Sequence, residues 1–215
     1  MAIPREAGRA TYSTNIRNRK RIPIDEKQEA LIIGSLLGDA CLHDNWSKTN
    51  YRLQIRHSKE QKSYVRWKYG ILKDFVLTPP QYYGRTRSVW FRTISHPDLS
   101  RLHSMFYRDG KKIIPPGIEA WLASPLTMAV WFMDDGNVVR RNGIVSGYNL
   151  NTQSFSLKEN ERLSALLAGI HGIDCSIERN HDYYRLGIWQ KASRKRFADL
   201  IRGYILPSMA YKLVA

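Results

Sequence analysis

Two apolar, helix-length runs of this sequence end abruptly in acidic residues. Residues 31–40 read LIIGSLLGDA and residues 126–136 read LTMAVWFMDDG. If the two runs pack against each other as helices, Asp39 and Asp135 lie side by side at one end of the pair. Converging carboxylates in a strongly basic chain indicate divalent metal ions that act on a phosphate backbone.

The charge balance of the 215-residue chain favours a polyanionic partner. It carries 34 Lys and Arg against 19 Asp and Glu, a formal net charge of +15, and such a field attracts nucleic acid. A ribosomal or non-specific basic protein is the alternative, but 12 Tyr and 6 Trp favour structured contact. Cys41 and Cys175 are isolated, which excludes a cysteine-rich zinc site and argues against a disulfide framework.

The ends of the chain and its hydropathy bound its location only loosely. No apolar run is long enough to span a bilayer, and the N-terminus has no hydrophobic signal region. Residues 1–22 form a basic arm, expected to be a flexible segment that lies on nucleic-acid phosphates, with an organellar transit peptide as the alternative. The compartment stays open between an organelle and a prokaryotic cytoplasm.

Start signals mark both apolar runs as helices. Asp25 with Gln28 three residues later forms a capping box before the first run. Ser124 followed by Pro125 opens the second. Small residues that would let the two helices approach closely are Gly34, Gly38 and Ala129.

Strand signals follow each of these helices. Residues 51–57 alternate polar and apolar, which predicts a strand with one arginine-bearing face. Residues 82–93 form a second predicted hairpin region. Asn142-Gly143 predicts a tight turn between 138–141 and 144–146, and a polar turn at 180–182 joins strands 176–179 and 183–189. Helices are expected from 58 to about 75 and from 157 to about 169.

The two halves of the chain match in the same order. Gln54 follows Asp39 by 15 positions and Gln153 follows Asp135 by 18, whereas the lysines that follow the same acids, Lys112 and Lys212, do so by 73 and 77. Ordered matches of this kind indicate an internal duplication of about 100 residues. We therefore divide the chain into the arm 1–22, a first half 23–115 and a second half 116–215, joined near 113–124.

The whole order of elements resembles a monomeric, double-motif LAGLIDADG homing endonuclease of the omega group I intron type. The resemblance covers roughly residues 25–213 and includes LTPP at 77–80, KKIIP at 111–115, LNTQSF at 150–155 and ILPSMAYKL at 205–213. It implies an α/β (α+β) pseudo-twofold fold, with two antiparallel β-saddles on a central pair of motif helices. It also implies a Mg²⁺-dependent endonuclease, with Mn²⁺ as a substitute, that cuts double-stranded DNA and leaves short 3′ overhangs.

The resemblance assigns active-site roles to matched residues of the two halves. They are the metal-binding aspartates Asp39 and Asp135, the basic residues Lys112 and Lys212, and the polar residues Gln54 and Gln153. A lysine there orients the hydroxide or offsets transition-state charge, although Lys111 competes with Lys112. The glutamines either organise water near the metals or contact DNA at a strand end.

Two residues in or beside the motifs, Asp134 and Ala40, lead to separate predictions. Asp134 points about 100° away from Asp135 around a helix, so it is expected to contact backbone amides or to lie outside the direct metal ligands. Ala40 stands where the family has glycine, which puts the first helix exit in question. The six histidines show no paired metal spacing and are interpreted as structural or DNA-contacting, and Trp131, Phe132 and Met133 as core.

Arginines on the strand faces are the predicted DNA-reading surface. Strands of about nine residues at ~3.3 Å each extend ~30 Å, or roughly nine base pairs, so two saddles would read about 18 base pairs. The arginines assigned to this surface are Arg52, Arg56, Arg85, Arg87, Arg92, Arg140, Arg141, Arg179 and Arg185.

Other functions remain open on the sequence. A group I intron RNA splicing maturase, a catalytically silent DNA-binding regulator and a non-specific nucleic-acid chaperone would all use the basic surface. Both acids are present, which favours the enzyme. The unequal spacings of the two halves predict unequal cleavage of the two strands.

Overall fold

The computed structural model describes residues 13–45 and 50–213, except for the side chain of Asn180. In chain order the elements are α1 (residues 13–19), α2 (Glu26–Leu37), β1 (Cys41–Asp44), β2 (Tyr51–Ser58), α3 (Lys62–Leu72), β3 (Gln81–Tyr83), β4 (Ser88–Arg92), α4 (Pro97–Phe106), β5 (Tyr107–Arg108), β6 (Lys111–Lys112), α5 (Ile118–Leu122), α6 (Pro125–Asp135), β7 (Gly136–Arg141), β8 (Ile144–Leu150), α7 (Leu157–His171), β9 (Ser176–Asn180), β10 (Tyr183–Ile188) and α8 (Lys191–Ile201).

The motif helices α2 and α6 start where their caps predict. The Asp25 carboxylate accepts from the backbone N–H of Gln28 at 2.7 Å, and the Gln28 side chain accepts from the N–H of Asp25 at 3.0 Å. Ser124 caps α6, with Pro125 at its first turn. These bonds satisfy N–H groups that a helix start otherwise leaves without partners.

The two motif helices pack with almost no side chain between them. A Cβ on Gly34 would lie 2.6 Å from the Thr127 carbonyl oxygen and 2.7 Å from the Val130 Cβ. Trp131, Phe132 and Met133 are fully buried, as predicted. Because each helix is covered by its partner and by its own half, both are apolar nearly all round and form the centre of the core.

The two four-stranded β-sheets share one topology, and β5 and β6 form a separate two-stranded sheet. Their strand orders are β1-β2-β4-β3 and β7-β8-β10-β9, with all neighbours antiparallel. The predicted turn between β7 and β8 is present, with Asn142 and Gly143 at φ 51° and 79°. The duplicated architecture of two sheets around a central helix pair is therefore confirmed. The division at residues 115 and 116 stays a prediction.

Only residues 13–22 of the basic arm belong to the described ranges. Residues 1–12 lie outside the described ranges, but residues 13–19 are helical and Arg19 donates to the carbonyl oxygen of Asp74 at 2.6 Å. Arg19 thereby ties this part of the arm to the turn that follows α3. That the arm is a flexible segment lying on nucleic-acid phosphates stays a prediction. Within the described ranges, no helix is both long and apolar enough to cross a membrane.

Candidate active site

The C-terminal ends of α2 and α6 meet at a glycine. A Cβ on Gly38 would lie only 2.4 Å from the Cβ of Asp134, so the two backbones touch at this level. The residues that follow, Asp39 and Asp135, consequently leave the helix pair together. The Asp39 carboxylate is near enough to Asp135 for its charge to raise the pKa of that carboxyl.

The two aspartates have opposite electrostatic environments. Burial raises the pKa of Asp135 to about 7, and the charges of Asp39 and Asp134 act in the same direction against Lys112 and Lys212. Burial also opposes ionisation of Asp39, but the hydrogen bond and charge of His57, with Lys68 and Lys212, hold the pKa of that carboxyl below its usual value. Ionisation of Asp135 therefore carries a net electrostatic cost, and ionisation of Asp39 does not.

Each candidate lysine caps the motif helix of its own half. Lys112 Nζ donates to the Gly38 carbonyl oxygen at 2.8 Å. Lys212 Nζ donates to the carbonyl oxygens of Met133 at 2.6 Å and Asp134 at 2.9 Å. A cation at these positions offsets the negative end of the helix dipole. Burial lowers the pKa of both lysines, against the nearby acids.

The competition between Lys111 and Lys112 is decided by their positions in β6. Lys112 is partly buried and reaches the first motif helix, whereas Lys111 is exposed. The structure therefore places Lys112, and not its neighbour, at the candidate site.

Asp134 is engaged by side chains and not by backbone amides, so that part of the expectation is wrong. Its carboxylate accepts from Lys68 Nζ at 2.7 and 2.9 Å and from the Tyr64 hydroxyl at 2.6 Å. Lys68 and Tyr64 both lie on α3 and are fully buried. A buried charge needs a partner of opposite charge. The partner of the buried Lys68 ammonium is the Asp134 carboxylate beneath the site.

His57 joins Asp39 to this buried group and was missed as a site residue. Its Nδ1 lies 3.4 Å from Asp39 Oδ2, and its Nε2 lies 3.6 Å from Asp134 Oδ1. His57 extends the alternation of β2 on the apolar face, where Leu53 and Ile55 are buried. A histidine at a core-facing strand position was the signal that could have identified it.

The predicted equivalence of Gln54 and Gln153 is wrong. In the first sheet Gln54 pairs with Cys41, two residues after Asp39. In the second sheet the residue opposite Asn137, two after Asp135, is Asn149. Gln153 lies in the turn that follows β8.

Asparagines stand near Asp135 instead. The Asn151 N–H donates to the Asp135 carbonyl oxygen at 3.1 Å, and its side chain donates to Asn137 Oδ1 at 3.2 Å. Asn149 is 2% exposed, and among the described residues its Oδ1 has no hydrogen-bond partner. Intervals counted along the sequence could not identify these residues, because the pairing register of the strands decides which residues lie beside Asp135.

Neither helix exit uses a left-handed residue, so the concern about Ala40 does not hold. Ala40 is buried and donates to the Ser35 carbonyl oxygen at 2.9 Å. Gly136 has φ −85° and ψ 156°. Its requirement for glycine is spatial, because a Cβ there would lie 2.0 Å from Phe132 Cδ2.

The first sheet presents a continuous polar face. Its register aligns Arg52 with His43, and Gln54 with both Cys41 and Arg92. Arg56 pairs with Trp90, and its guanidinium lies 6.0 Å from that ring. Arg85 and Arg87 are exposed in the turn between β3 and β4. The arginines predicted in this half thus lie on one face of the sheet or at its hairpin tip.

The second sheet presents fewer arginines on the equivalent face. Arg185 is on the side of Gly187 and Asn149, where it donates to Glu178 at 2.9 Å. Trp189 covers this face above Gly147 and Gly187 and donates to the same carboxylate at 2.7 Å. A tryptophan and a glutamate therefore lie on a surface for which the sequence predicted arginines.

Three further arginines of this half are exposed but divided between the sides of the sheet. Arg140 shares the parity of Val138 along β7, and its partner Val145 packs against the core like Val138, because a β-bulge shifts the register between Val139 and Arg140. Arg179 has the parity of the core residue Ile177, whereas Arg141 shares the parity of Asn137 and Val139 on the polar face. The structure does not bring Arg140 and Arg179 to the polar face, because alternate residues of a strand point to opposite sides.

The donor set at Asp39 and Asp135 fits a divalent cation supplemented by another ligand. Within residues 13–45 and 50–213, no group of three or more His, Cys, Asp or Glu side chains lies close enough together to hold a metal ion without other ligands. Two carboxylates alone leave most of the coordination to water and phosphate oxygens, which suits Mg²⁺ and Mn²⁺. Burial, and after it the Asp39 charge, raise the pKa of Asp135, and a bound cation would oppose both effects.

Three relatives are similar in sequence to most of this chain. The chain is 29% identical over 196 residues to probable intron-encoded endonuclease 1 of Wickerhamomyces canadensis, covering 87% of this chain and 84% of the relative. It is 27% identical over 203 residues to the cytochrome b mRNA maturase bI2 of Debaryomyces hansenii, covering 89% and 75%. Protein RecA of Mycolicibacterium chitae is 28% identical over 204 residues, but the match spans only 47% of that protein.

Solved structures show the same fold. The homing endonuclease I-WcaI bound to its DNA recognition sequence superposes with a TM-score of 0.84 at 27% identity, covering 93% of this chain and 92% of that one. I-DmoI in complex with DNA and Mn has a TM-score of 0.52 at 15% identity, a likeness of fold alone. The LAGLIDADG DNA endonuclease family model matches residues 29–196, and the chain therefore belongs to this family.

Proposed function

We propose that this protein is a site-specific endonuclease that hydrolyses one phosphodiester in each strand of double-stranded DNA. The observation that carries the proposal is the meeting of Asp39 and Asp135 at the touching ends of two helices, each capped by a lysine. Membership of the family and the likeness to a DNA-bound homing endonuclease support it.

The polar faces of the two sheets supply the DNA-binding surface. Guanidinium groups donate to guanine edges and phosphates, and the Gln54 amide can read adenine. Two sheets related by the internal duplication would cover a target of about 18 base pairs, at roughly nine base pairs per sheet. Because one chain contains both halves, we propose that the protein acts as a monomer.

Asp39 and Asp135 would hold the divalent metal, proposed to be Mg²⁺ with Mn²⁺ as a substitute. When bound, the metal activates water and stabilises charge on the attacked phosphate and the leaving 3′ oxygen. Lys112 and Lys212 keep two positive charges beside the acids, where they offset the negative charge that develops on phosphorus. Gln54 lies on the polar face, where it pairs with Cys41, two residues after Asp39. Its amide can orient water there. Cleavage is proposed to leave short 3′ overhangs.

Selection from a random duplex library tests the activity. We expect recovery of cleaved duplexes with a common site in Mg²⁺, and binding without turnover in Ca²⁺. The variants Asp39→Asn and Asp135→Asn should retain binding and lose cleavage. Normal double-strand cleavage by either variant would refute the assigned site.

A splicing role is the second candidate, favoured by the likeness to a yeast cytochrome b mRNA maturase. The basic faces do not distinguish RNA from DNA, so the two activities can coexist. Incubation of the protein with precursor RNA containing a group I intron, at low Mg²⁺, tests it. Splicing that does not change on addition of protein would remove this candidate.

A further inference from the structure

The polar face of the second sheet carries a carboxylate that binds two donors at once. Glu178 Oε2 accepts from Arg185 Nε at 2.9 Å, and Glu178 Oε1 accepts from Trp189 Nε1 at 2.7 Å. Glu178 and Arg185 face each other across β9 and β10, so their side chains lie on the same side of the sheet. They are 26% and 31% exposed, which leaves part of the arginine accessible to a ligand.

Two glycines form the surface on which the Trp189 ring lies. A Cβ on Gly147 would be 2.2 Å from Cε3 and Cζ3 of the indole, and a Cβ on Gly187 would be 2.4 Å from its Nε1. The ring therefore lies directly against the backbones of β8 and β10. This position brings its N–H to Glu178, so the carboxylate is fixed by a second donor in addition to Arg185.

The carboxylate leaves one edge of the Arg185 guanidinium for a ligand. A guanidinium has five N–H donors in a rigid, planar fork, and its Nε is bonded to Glu178. Among the residues whose side chains are described, none accepts a hydrogen bond from the two Nη atoms. The two parallel donors that remain match the O6 and N7 acceptors of guanine in the major groove.

We infer that Arg185 reads a guanine in the half of the target that the second sheet covers, and that Glu178 is its positioning residue. The inference rests on the proposed endonuclease function. Because the carboxylate offsets the charge of Arg185, the pair adds little to the sequence-independent attraction of phosphates. It restricts the rotamers of the arginine instead, which lowers the entropic cost of a bidentate contact.

This support distinguishes Arg185 from the other arginines on the two polar faces. Among those that the structure describes, Arg185 alone forms an ion pair with a carboxylate. We therefore expect the contact of Arg185 to be the one most dependent on a neighbouring side chain. Trp189 and Gly187 act on it through Glu178.

Selection by binding in Ca²⁺ tests the assignment. Duplexes are recovered from a random library by affinity, and each guanine of the selected site is replaced in turn by 7-deazaguanine, which lacks the N7 acceptor. In wild-type protein, at least one guanine should show an affinity loss of about fivefold or more. Arg185→Lys keeps the charge but lacks the fork, so at the guanine that Arg185 reads the same replacement should then have no effect.

Glu178→Gln separates positioning from attraction. Loss of a negative charge should raise the affinity for random duplex, whereas the 7-deazaguanine loss at the assigned guanine should fall to about half or less. A purely structural defect would lower both affinities. Glu119→Gln is the matched control, because it also removes the carboxylate of an ion pair, with Arg162 at 3.2 Å, but lies on α5. It should leave the effect of 7-deazaguanine unchanged.

Gly187→Ala tests the same contacts without removing a charge or a donor. Its Cβ would lie 2.4 Å from Trp189 Nε1, so the indole must move away from Glu178. The effect of 7-deazaguanine at the assigned position should fall as in Glu178→Gln, while binding of random duplex stays at the wild-type value. Thermal unfolding of each variant verifies that it is folded.

The outcomes separate this inference from the proposed function. It is overturned if wild-type protein is insensitive to 7-deazaguanine throughout the selected site, if Arg185→Lys abolishes the effect at none of the guanines, or if Glu178→Gln leaves the effect intact. Protein that binds selectively with these effects but cuts no duplex in Mg²⁺ refutes the proposed function and not the reading of guanine. Protein that selects no sequence refutes both.

Discussion

Substitution of the two motif aspartates should change stability in opposite directions. Asp135→Asn removes an ionised group whose pKa is raised from 3.8 to about 7. At pH 8 that difference corresponds to about 4 kcal/mol of destabilisation, as an upper limit. Since the carboxylate is partly exposed and solvent screens its neighbours, we expect a gain of about 1–3 kcal/mol.

The gain should depend on pH with a definite sign. A folded pKa above the unfolded value means that the proton favours the fold. The stabilising protonated form is complete below about pH 4 and is lost as the pH rises through about 7. The advantage of Asp135→Asn is therefore largest at pH 8 and falls to about half at pH 5.5.

Asp39→Asn is the matched comparison. The folded pKa of Asp39 is lowered, mainly by His57 acting against burial. Its ionised form therefore contributes stability above about pH 4, and this contribution is lost only as the pH falls through the lowered value. At pH 8 this variant should be less stable than wild type, because a neutral amide cannot replace the carboxylate beside His57.

Thermal unfolding in EDTA, followed by circular dichroism, measures both effects. For a chain of this size about 2–4 °C accompanies each kcal/mol, so Asp135→Asn should melt roughly 2–12 °C above wild type at pH 8. Addition of Mg²⁺ should raise the wild-type midpoint more than that of Asp135→Asn. Shifts of the same sign in both variants would refute the electrostatic assignment.

Two further pairs of variants test the packing and the polar faces. Gly38→Ala places a Cβ 2.4 Å from that of Asp134 and should cost about 1–3 kcal/mol in urea unfolding, whereas Gly70→Ala, with nothing within 4 Å on an exposed helix position, should stabilise by about 0.5–1 kcal/mol. Equal effects would contradict the close helix contact. Arg56→Ala should weaken binding to the selected duplex by about 1–3 kcal/mol, and Arg179→Ala, on the opposite side of its strand, should have little effect in the same fluorescence titration. A larger loss from Arg179→Ala would show that the register argument misplaces the DNA.

The sequence by itself determined the elements whose signals are local. A capping box at Asp25, a serine–proline start at residue 124 and the Asn142-Gly143 turn each depend on neighbours within a few residues. Apolar periodicity predicted which runs form helices, and the repeated order of motifs predicted two similar halves. The position of the acids at the ends of the motif helices was predicted from the same local pattern. Two motif helices that pack side by side in the same direction bring their last residues together.

Only the tertiary structure decided which side chains surround those acids. Lys68 and His57 reach Asp134 and Asp39 from another helix and a strand, and no spacing within one element implies those contacts. Gln153 and Arg179 were assigned from sequence intervals and composition, but each position depends on strand register, in which a shift of one residue reverses the face. Such contacts arise from the packing of elements distant in sequence, and that packing determined the difference between the two halves of the site.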